Sequence, residues 1–317
     1  MPEPLHRRLL GAALLLLYGG AVAYLGTEYR DDLVELLHRA SLPALLGALA
    51  AAVVFWLLTG LRFGLSVALF GQRLVFREWF GLTVLTKFVS YFVPARGGIA
   101  VRAVYLKRVH GFPLSRFASS TFLLYVLSLT VNAVTLLVLL QLVTLESRVG
   151  TGEVAAALGL IIVLSIGAVA LAGRLRGSSR LTAAVRELGS IRARLRAAPG
   201  KVVALVGVQV FIRLVFALEI ILCFEAVGVP VDPVEAALVS VLVAVSALFS
   251  LTPGNAGISE GLIVGGASLF GYPLAGAVLA SLLYRIIDVV FSALVGGYFV
   301  RWGYSRFMAP DGGVVGP

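Results

Sequence analysis

Cysteine and histidine are nearly absent from this chain. It has one cysteine, Cys223, inside an apolar run, and three scattered histidines, His6, His38 and His110. A disulfide framework needs paired cysteines and a zinc site needs clustered ligands, so neither organises the fold, and no metal or other cofactor is expected. Charge is scarce as well. Only 13% of residues are Asp, Glu, Lys or Arg, while 60% are apolar and the mean hydropathy is +1.01. A soluble core cannot hide that much apolar surface, so the chain reads as an integral membrane protein. Also missing are a Gly-rich phosphate loop and paired acids beside a nucleophile, which argues against an enzyme. Acidic residues are the scarcer sign, 16 against 26 basic ones, for a formal charge of +10. In a soluble chain that balance would suggest nucleic acid, but no aromatic-basic groove accompanies it. The basic residues sit beside apolar spans, where the positive-inside rule and anionic lipid headgroups account for them.

What the sequence does have is one device written twice. Pro94-Ala95-Arg96-Gly97-Gly98-Ile99 is followed by Gly111-Phe112-Pro113-Leu114, and Pro253-Gly254-Asn255-Ala256-Gly257-Ile258 by Gly271-Tyr272-Pro273-Leu274. The copies lie about half the chain apart, the second one residue longer. Broken apolar segments in matching positions of two halves are the sequence mark of a transporter's midplane site.

Crossing the hydrocarbon takes about 20 apolar residues. Residues 9–25, 42–61, 114–143, 154–172, 202–227 and 274–300 meet that requirement. His6-Arg7-Arg8 before the first run, with Ala21-Val22-Ala23 at its end, also fits a signal peptide, but the half-to-half symmetry favours an uncleaved span. Residues 79–109 and 234–269 are apolar but interrupted at 94–98 and 253–257. Irregular backbone survives at membrane depth only when buried in protein or lining a wet cavity, so both read as re-entrant helix pairs. The expected fold class is an all-α polytopic membrane protein with an inverted repeat, about six transmembrane helices and two Pro/Gly-broken re-entrant hairpins. Counting each broken segment as a full crossing gives eight helices instead. The whole chain, 1–317, is expected to form one membrane domain with halves 1–145 and 146–306, a basic loop at 174–201 and a disordered tail at 307–317.

Loop charges alternate in sign. Arg7 and Arg8, then Arg73, Arg77, Lys107 and Arg108, then the arginine-rich 174–201 loop, then Arg301 and Arg306 lie on one side. Glu28, Asp31, Asp32 and Glu35, then Glu146 and Glu153, then Glu225, Asp232 and Glu235 lie on the other. The positive-inside rule places both termini in the cytoplasm and the chain in the cytoplasmic (inner) membrane. Within the basic loop, Leu181, Val185, Leu188, Ile191 and Leu195 share a helical face, the pattern of an interfacial amphipathic helix.

Ionisable groups inside spans cost about 2.5–3.5 kcal/mol each on insertion scales, so each is a functional candidate. They are Arg62, Lys87, Arg96, Arg102, Arg213, Glu219, Glu260, Arg285 and Asp288. The basic surplus suits a lipid phosphate, whose oxygens match arginine forks. The candidate substrate-binding set is Arg96, Arg102, Lys87, Arg213, Glu260, Arg285 and Asp288, with Pro94, Gly98, Pro253, Gly254 and Gly257 as hinges. Arg96 lies beside a helix start whose free N–H groups favour anions, and Arg102 either joins it or snorkels to the surface. Glu260 either caps its own helix start or carries a proton or cation. Arg285 and Asp288, three apart, share a helix face and are expected to pair. Asn132 and Gln209 serve equally well as glue between helices.

At these motifs the chain resembles the lysylphosphatidylglycerol synthase transmembrane-domain family. The matching residues are Pro94-x-Arg96-x-Gly98 with Arg102, Pro253-Gly254-x-x-Gly257-x-x-Glu260, and Leu283-Tyr284-Arg285. One departure is Ile99, where relatives often carry an acid. The resemblance implies a flippase-like fold that moves lipids across the bilayer, without the synthases' soluble acyltransferase domain. The expected function is therefore transport of an anionic phospholipid or lipid-linked headgroup. Alternatives are a small-solute secondary transporter of the same architecture and a non-transporting membrane partner or regulator. Anionic membrane lipids are the expected partners, and assembly into a homo-oligomer is left open.

Overall fold

A computed structural model describes residues 41–91, 97–142, 182–247 and 252–307, with isolated residues at 159 and 167. The spans expected at 9–25 and 154–172, the break residues Pro94 and Arg96, and the tail beyond residue 307 lie outside the described residues.

The described residues form α-helices and one short 3-10 turn. The helices are α1 (Leu42–Leu69), α2 (Phe76–Ser90), α3 (Gly97–His110), α4 (Leu114–Leu142), α5 (Thr182–Ala197), α6 (Pro199–Ala226), α7 (Pro233–Ser246), α8 (Ile258–Leu269) and α9 (Leu274–Phe307). Their starts are written in the sequence. Ser41 accepts from the Ala44 N–H at 3.4 Å, and Asp232 accepts from Val234 and Glu235 at 2.8 and 3.2 Å. Pro43, Pro199 and Pro233 stand in first turns, where a missing N–H costs nothing. Four helices, α1, α4, α6 and α9, are long and apolar enough to cross a membrane. Their outward sides are apolar too: Leu46 and Val53 on α1, Val138 on α4, Phe211 and Leu214 on α6 and Leu294 on α9 are all exposed. Such a surface suits lipid and not water, and the chain is a multi-pass membrane protein.

The order long, short, short, long occurs twice, as α1 to α4 and as α6 to α9. Contacts between the two sets are reciprocal. Helices α1 and α6 lie along each other, α2 of the first set packs on α9 of the second, and α7 packs on α4.

Each pair of short helices folds back on itself, and an acid ties its two feet together. Glu78, in the first turn of α2, reaches back to the Val75 N–H and takes hydrogen bonds at 2.9 Å from the Tyr105 hydroxyl and His110 at the end of α3. In the second set, Glu235 at the start of α7 accepts from the hydroxyl of Tyr272, just past α8, and that hydroxyl accepts in turn from the Asp232 N–H.

The tips of the two pairs meet. Pro253–Asn255 form a 3-10 turn with Gly254 at φ +59°, and Tyr91 at the end of α2 packs against that glycine. A β-carbon on Gly254 would come within 2.3 Å of the Tyr91 ring. Gly98 is similarly confined, since a β-carbon there would come within 2.1 Å of the Thr86 carbonyl oxygen.

Helix α5 sits at one end of the bundle. Ile191 is fully buried, and Leu195 packs against the same apolar cluster, which contains Phe63, Phe70 and Leu205. Arg194 lies over the Phe70 ring, and Glu187 pairs with Arg116 of α4 at 3.2 Å. The apolar face expected to lie in the membrane interface is covered by protein at these positions.

Gly254→Ala tests how closely the tips are packed. A positive φ and a ring in the way should cost about 1–3 kcal/mol, read as a lower thermal unfolding midpoint in detergent. Gly261→Ala, on α8 with nothing within 4 Å of the new β-carbon, should leave the midpoint unchanged or raise it slightly.

Candidate functional site

Two apolar clusters fill the bundle, and a polar belt separates them. On α1, Ala48 and Ala52 belong to one cluster and Phe63, Val67 and Leu69 to the other. Between them come Trp56, Thr59 and Arg62. On α6, Leu205 lies in one cluster and Phe216, Ile220 and Phe224 in the other, with Gln209 and Arg213 between. Arg213 is at mid-helix, roughly 20 Å from either end at 1.5 Å per residue.

The belt encloses a cavity of about 310 Å³. Arg62, Lys87, Arg102, Arg213 and Asp288 supply its charges, and Tyr125, Ser128, Asn132 and Tyr284 add polar wall. Eight helices contribute: α1, α2, α3, α4, α6, α7, α8 and α9, with the 253–255 turn closing part of the rim.

Three arginines reach this space from three helices. Arg62 donates to Ser128 at 3.0 Å and to the Gln209 side-chain oxygen. Arg102 donates to the Thr86 hydroxyl at 2.9 Å and lies 4.3 Å from the Phe63 ring centroid. Arg213 lies over the Phe216 ring at 5.6 Å, and its Nε and Nη1 are buried without a hydrogen-bond partner. The Nε of Arg62 is likewise unpartnered. Among the described residues none of the three forms an ion pair with a carboxylate. Neutral hydroxyls, an amide and ring faces soften these charges but do not cancel them, and a buried uncancelled charge is costly.

Among the described residues, the other cations beside the cavity, Lys87 and Arg285, are paired with carboxylates. Lys87 Nζ lies 2.8 Å from Asp288, with the Trp56 and Tyr91 rings on its flanks. Asp288 also accepts from the Tyr91 hydroxyl at 2.6 Å. Arg285 spends its donors on the second break: the Gly254 carbonyl at 3.0 Å, the Asn255 carbonyl and the Ser259 hydroxyl at 3.1 Å, and the Glu260 carboxylate. Glu260 in turn accepts from the Gly257 N–H at 2.7 Å, capping α8. Arg285 and Asp288 are 3.9 Å apart at their nearest, a looser contact than either makes elsewhere.

Of the residues singled out from sequence, Lys87, Arg102, Arg213 and Asp288 therefore line one cavity, together with the hinge glycines Gly98 and Gly254. Glu260 and Arg285 lie beside it as a pair engaged with each other, and Pro253 and Gly257 flank the same turn. Arg96 and Pro94 lie outside the described residues. To the lining the structure adds Arg62, Tyr125, Ser128 and Tyr284, and Tyr91 stands behind it on Asp288. Arg62 stands out as a charge in a span, but nothing local says that it faces the same space as Arg213, which lies far along the chain. That convergence comes from the contact of α1 with α6.

Removing one member of the buried pair tests its structural weight. Arg285→Met leaves Glu260 buried and unpaired, and should cost about 3–5 kcal/mol, read as a large fall in unfolding midpoint. The double variant Arg285→Met/Glu260→Gln should recover part of that loss. A single variant as stable as the parent would show that the pair does not hold the break.

None of the curated proteins matches this chain. The family model for the lysylphosphatidylglycerol synthase TM region does, over residues 8–296, which takes in both broken segments and all of the cavity. A match of that extent places the protein in the lysylphosphatidylglycerol synthase transmembrane-region family.

Proposed function

We propose that this protein carries lipids bearing an anionic headgroup across the cytoplasmic membrane, with the headgroup passing through the three-arginine cavity. The observation that carries the reading is that Arg62, Arg102 and Arg213 meet at mid-bundle, and none of them forms an ion pair with a carboxylate among the described residues. An evolved core does not keep three such charges for stability, because apolar residues of similar size would cost less. A passing anion supplies what the protein omits. Family membership supports a lipid-related role in the membrane, and the match is to the transmembrane region alone.

In this reading the two hairpins are re-entrant and related by an inverted repeat, with both termini in the cytoplasm. The tied feet of α2 with α3 and of α7 with α8 support it, because a segment whose ends are bonded together enters and leaves on one side. So do the reciprocal contacts between the sets.

Reconstituted vesicles provide the test. Arg213→Gln should slow movement of a fluorescent anionic phospholipid by at least about tenfold, the scale for losing a buried charge at a binding site. Arg213→Lys should retain part of the rate, because a point charge cannot match a planar fork. Parental rates in Arg213→Gln would remove the cavity from the path, and no lipid movement by the parent would favour a soluble-solute transporter or a regulator. Cysteines at the exposed positions 77 and 107 should label from the same face, and labelling from opposite faces would make α2 and α3 a full crossing.

A further inference from the structure

We infer that the cavity is matched to a phosphate carrying two or more negative charges, a phosphomonoester or a pyrophosphate, and not to a phosphodiester carrying one. The inference rests on the anionic-headgroup reading above and narrows it to a charge class.

The first ground is charge balance. Among the described residues, five cations, Arg62, Lys87, Arg102, Arg213 and Arg285, and three carboxylates, Glu219, Glu260 and Asp288, stand in or beside the cavity. Lys87 is matched by Asp288, and Arg285 by Glu260. Glu219 is buried on α6 within electrostatic reach of Lys87 and Asp288, and it has no ion pair among the described residues. If Glu219 is ionised, two positive charges remain, and if it holds a proton, three remain. A singly charged diester leaves at least one guanidinium uncompensated in either case. A dianion closes the balance in the first case and comes within one charge in the second. Uncompensated buried charge is the costly state, so the cavity discriminates by valence.

The second ground is geometry. Arg62, Arg102 and Arg213 come from α1, α3 and α6, and all three line the same cavity. Each guanidinium is a planar fork that binds best across two oxygens. A diester offers two unesterified oxygens, too few for three forks. A monoester offers three and a pyrophosphate more. Nε and Nη1 of Arg213 and Nε of Arg62 are sealed in without a partner, so the fold does not keep these guanidiniums for the hydrogen bonds they make within it.

Binding to the purified full chain in detergent tests this with four probes: inorganic phosphate, inorganic pyrophosphate, short-chain phosphatidic acid and short-chain phosphatidylglycerol. At about pH 7.5 phosphatidic acid should bind about tenfold or more tighter than phosphatidylglycerol, because one further charge meets the arginines. That gap should close at about pH 5, where a monoester has lost its second charge. Pyrophosphate should displace phosphatidic acid more effectively than phosphate does. Arg62→Gln and Arg213→Gln should each narrow the gap, and if either fails to fold, the parental ratio and its pH dependence decide the matter. Equal affinities at the higher pH, or a gap that persists at the lower pH, overturn the inference. Vesicle transport separates it from the lipid reading. Selective dianion binding without lipid movement keeps the charge class and points to a soluble phosphate or pyrophosphate as its source. Movement of both lipids at equal rates keeps the lipid reading and refutes the charge class.

Discussion

One turn of one helix holds both broken segments in place. On α9, Arg285 grips the second break through two backbone carbonyls, a hydroxyl and the Glu260 carboxylate. Three residues on, Asp288 holds the tip of the first hairpin through Lys87 and Tyr91. The turn at Pro253–Asn255 pairs the Pro253 carbonyl with the Ala256 N–H and leaves the Gly254 and Asn255 carbonyls to Arg285. A guanidinium with donors on several edges satisfies both at a single point. Because the hairpin tips meet at Tyr91 and Gly254, the two grips also fix the sets against each other.

This arrangement separates two kinds of buried charge. Lys87 with Asp288 and Arg285 with Glu260 are matched, hydrogen-bonded and committed to the fold. Arg62, Arg102 and Arg213 are held in position by hydroxyls, an amide and aromatic faces, none of which cancels a charge. Neutral partners fix where a guanidinium points while leaving its field available to a ligand. A carboxylate partner would remove that field. The same economy explains why the cavity lies between two apolar clusters: packing on either side makes the walls rigid, and the polar belt stays open.

Much of this was legible in the chain. Long apolar runs gave α1, α4, α6 and α9, because a helix is the only open-ended way to satisfy a backbone in lipid. The repeated Pro/Gly device marked both breaks, and the spaced leucines of the basic loop marked α5. Span ends were less legible. Helix α1 continues to Leu69, beyond the apolar stretch that ends at residue 61, because Arg62 is accommodated by Ser128 and Gln209 inside the bundle. A polarity scale sees a charge and stops there, whereas the helix needs only a partner.

Periodicity, breaks and the list of buried charges are local properties, fixed by residue type and spacing, and the sequence by itself determined them. Partnership is not local. The Arg285–Asp288 spacing allows a pair along one helix, yet each finds a closer partner from another element, since carboxylates and cations brought in by tertiary contact compete with the neighbour one turn away. Gly254 reads as a hinge in sequence, and only the approach of Tyr91 makes its missing side chain a requirement of packing. Which arginines stay uncompensated was decided in the same way, by where α1, α3 and α6 converge, because the Coulomb energy of a buried charge depends on distances that only the folded chain sets.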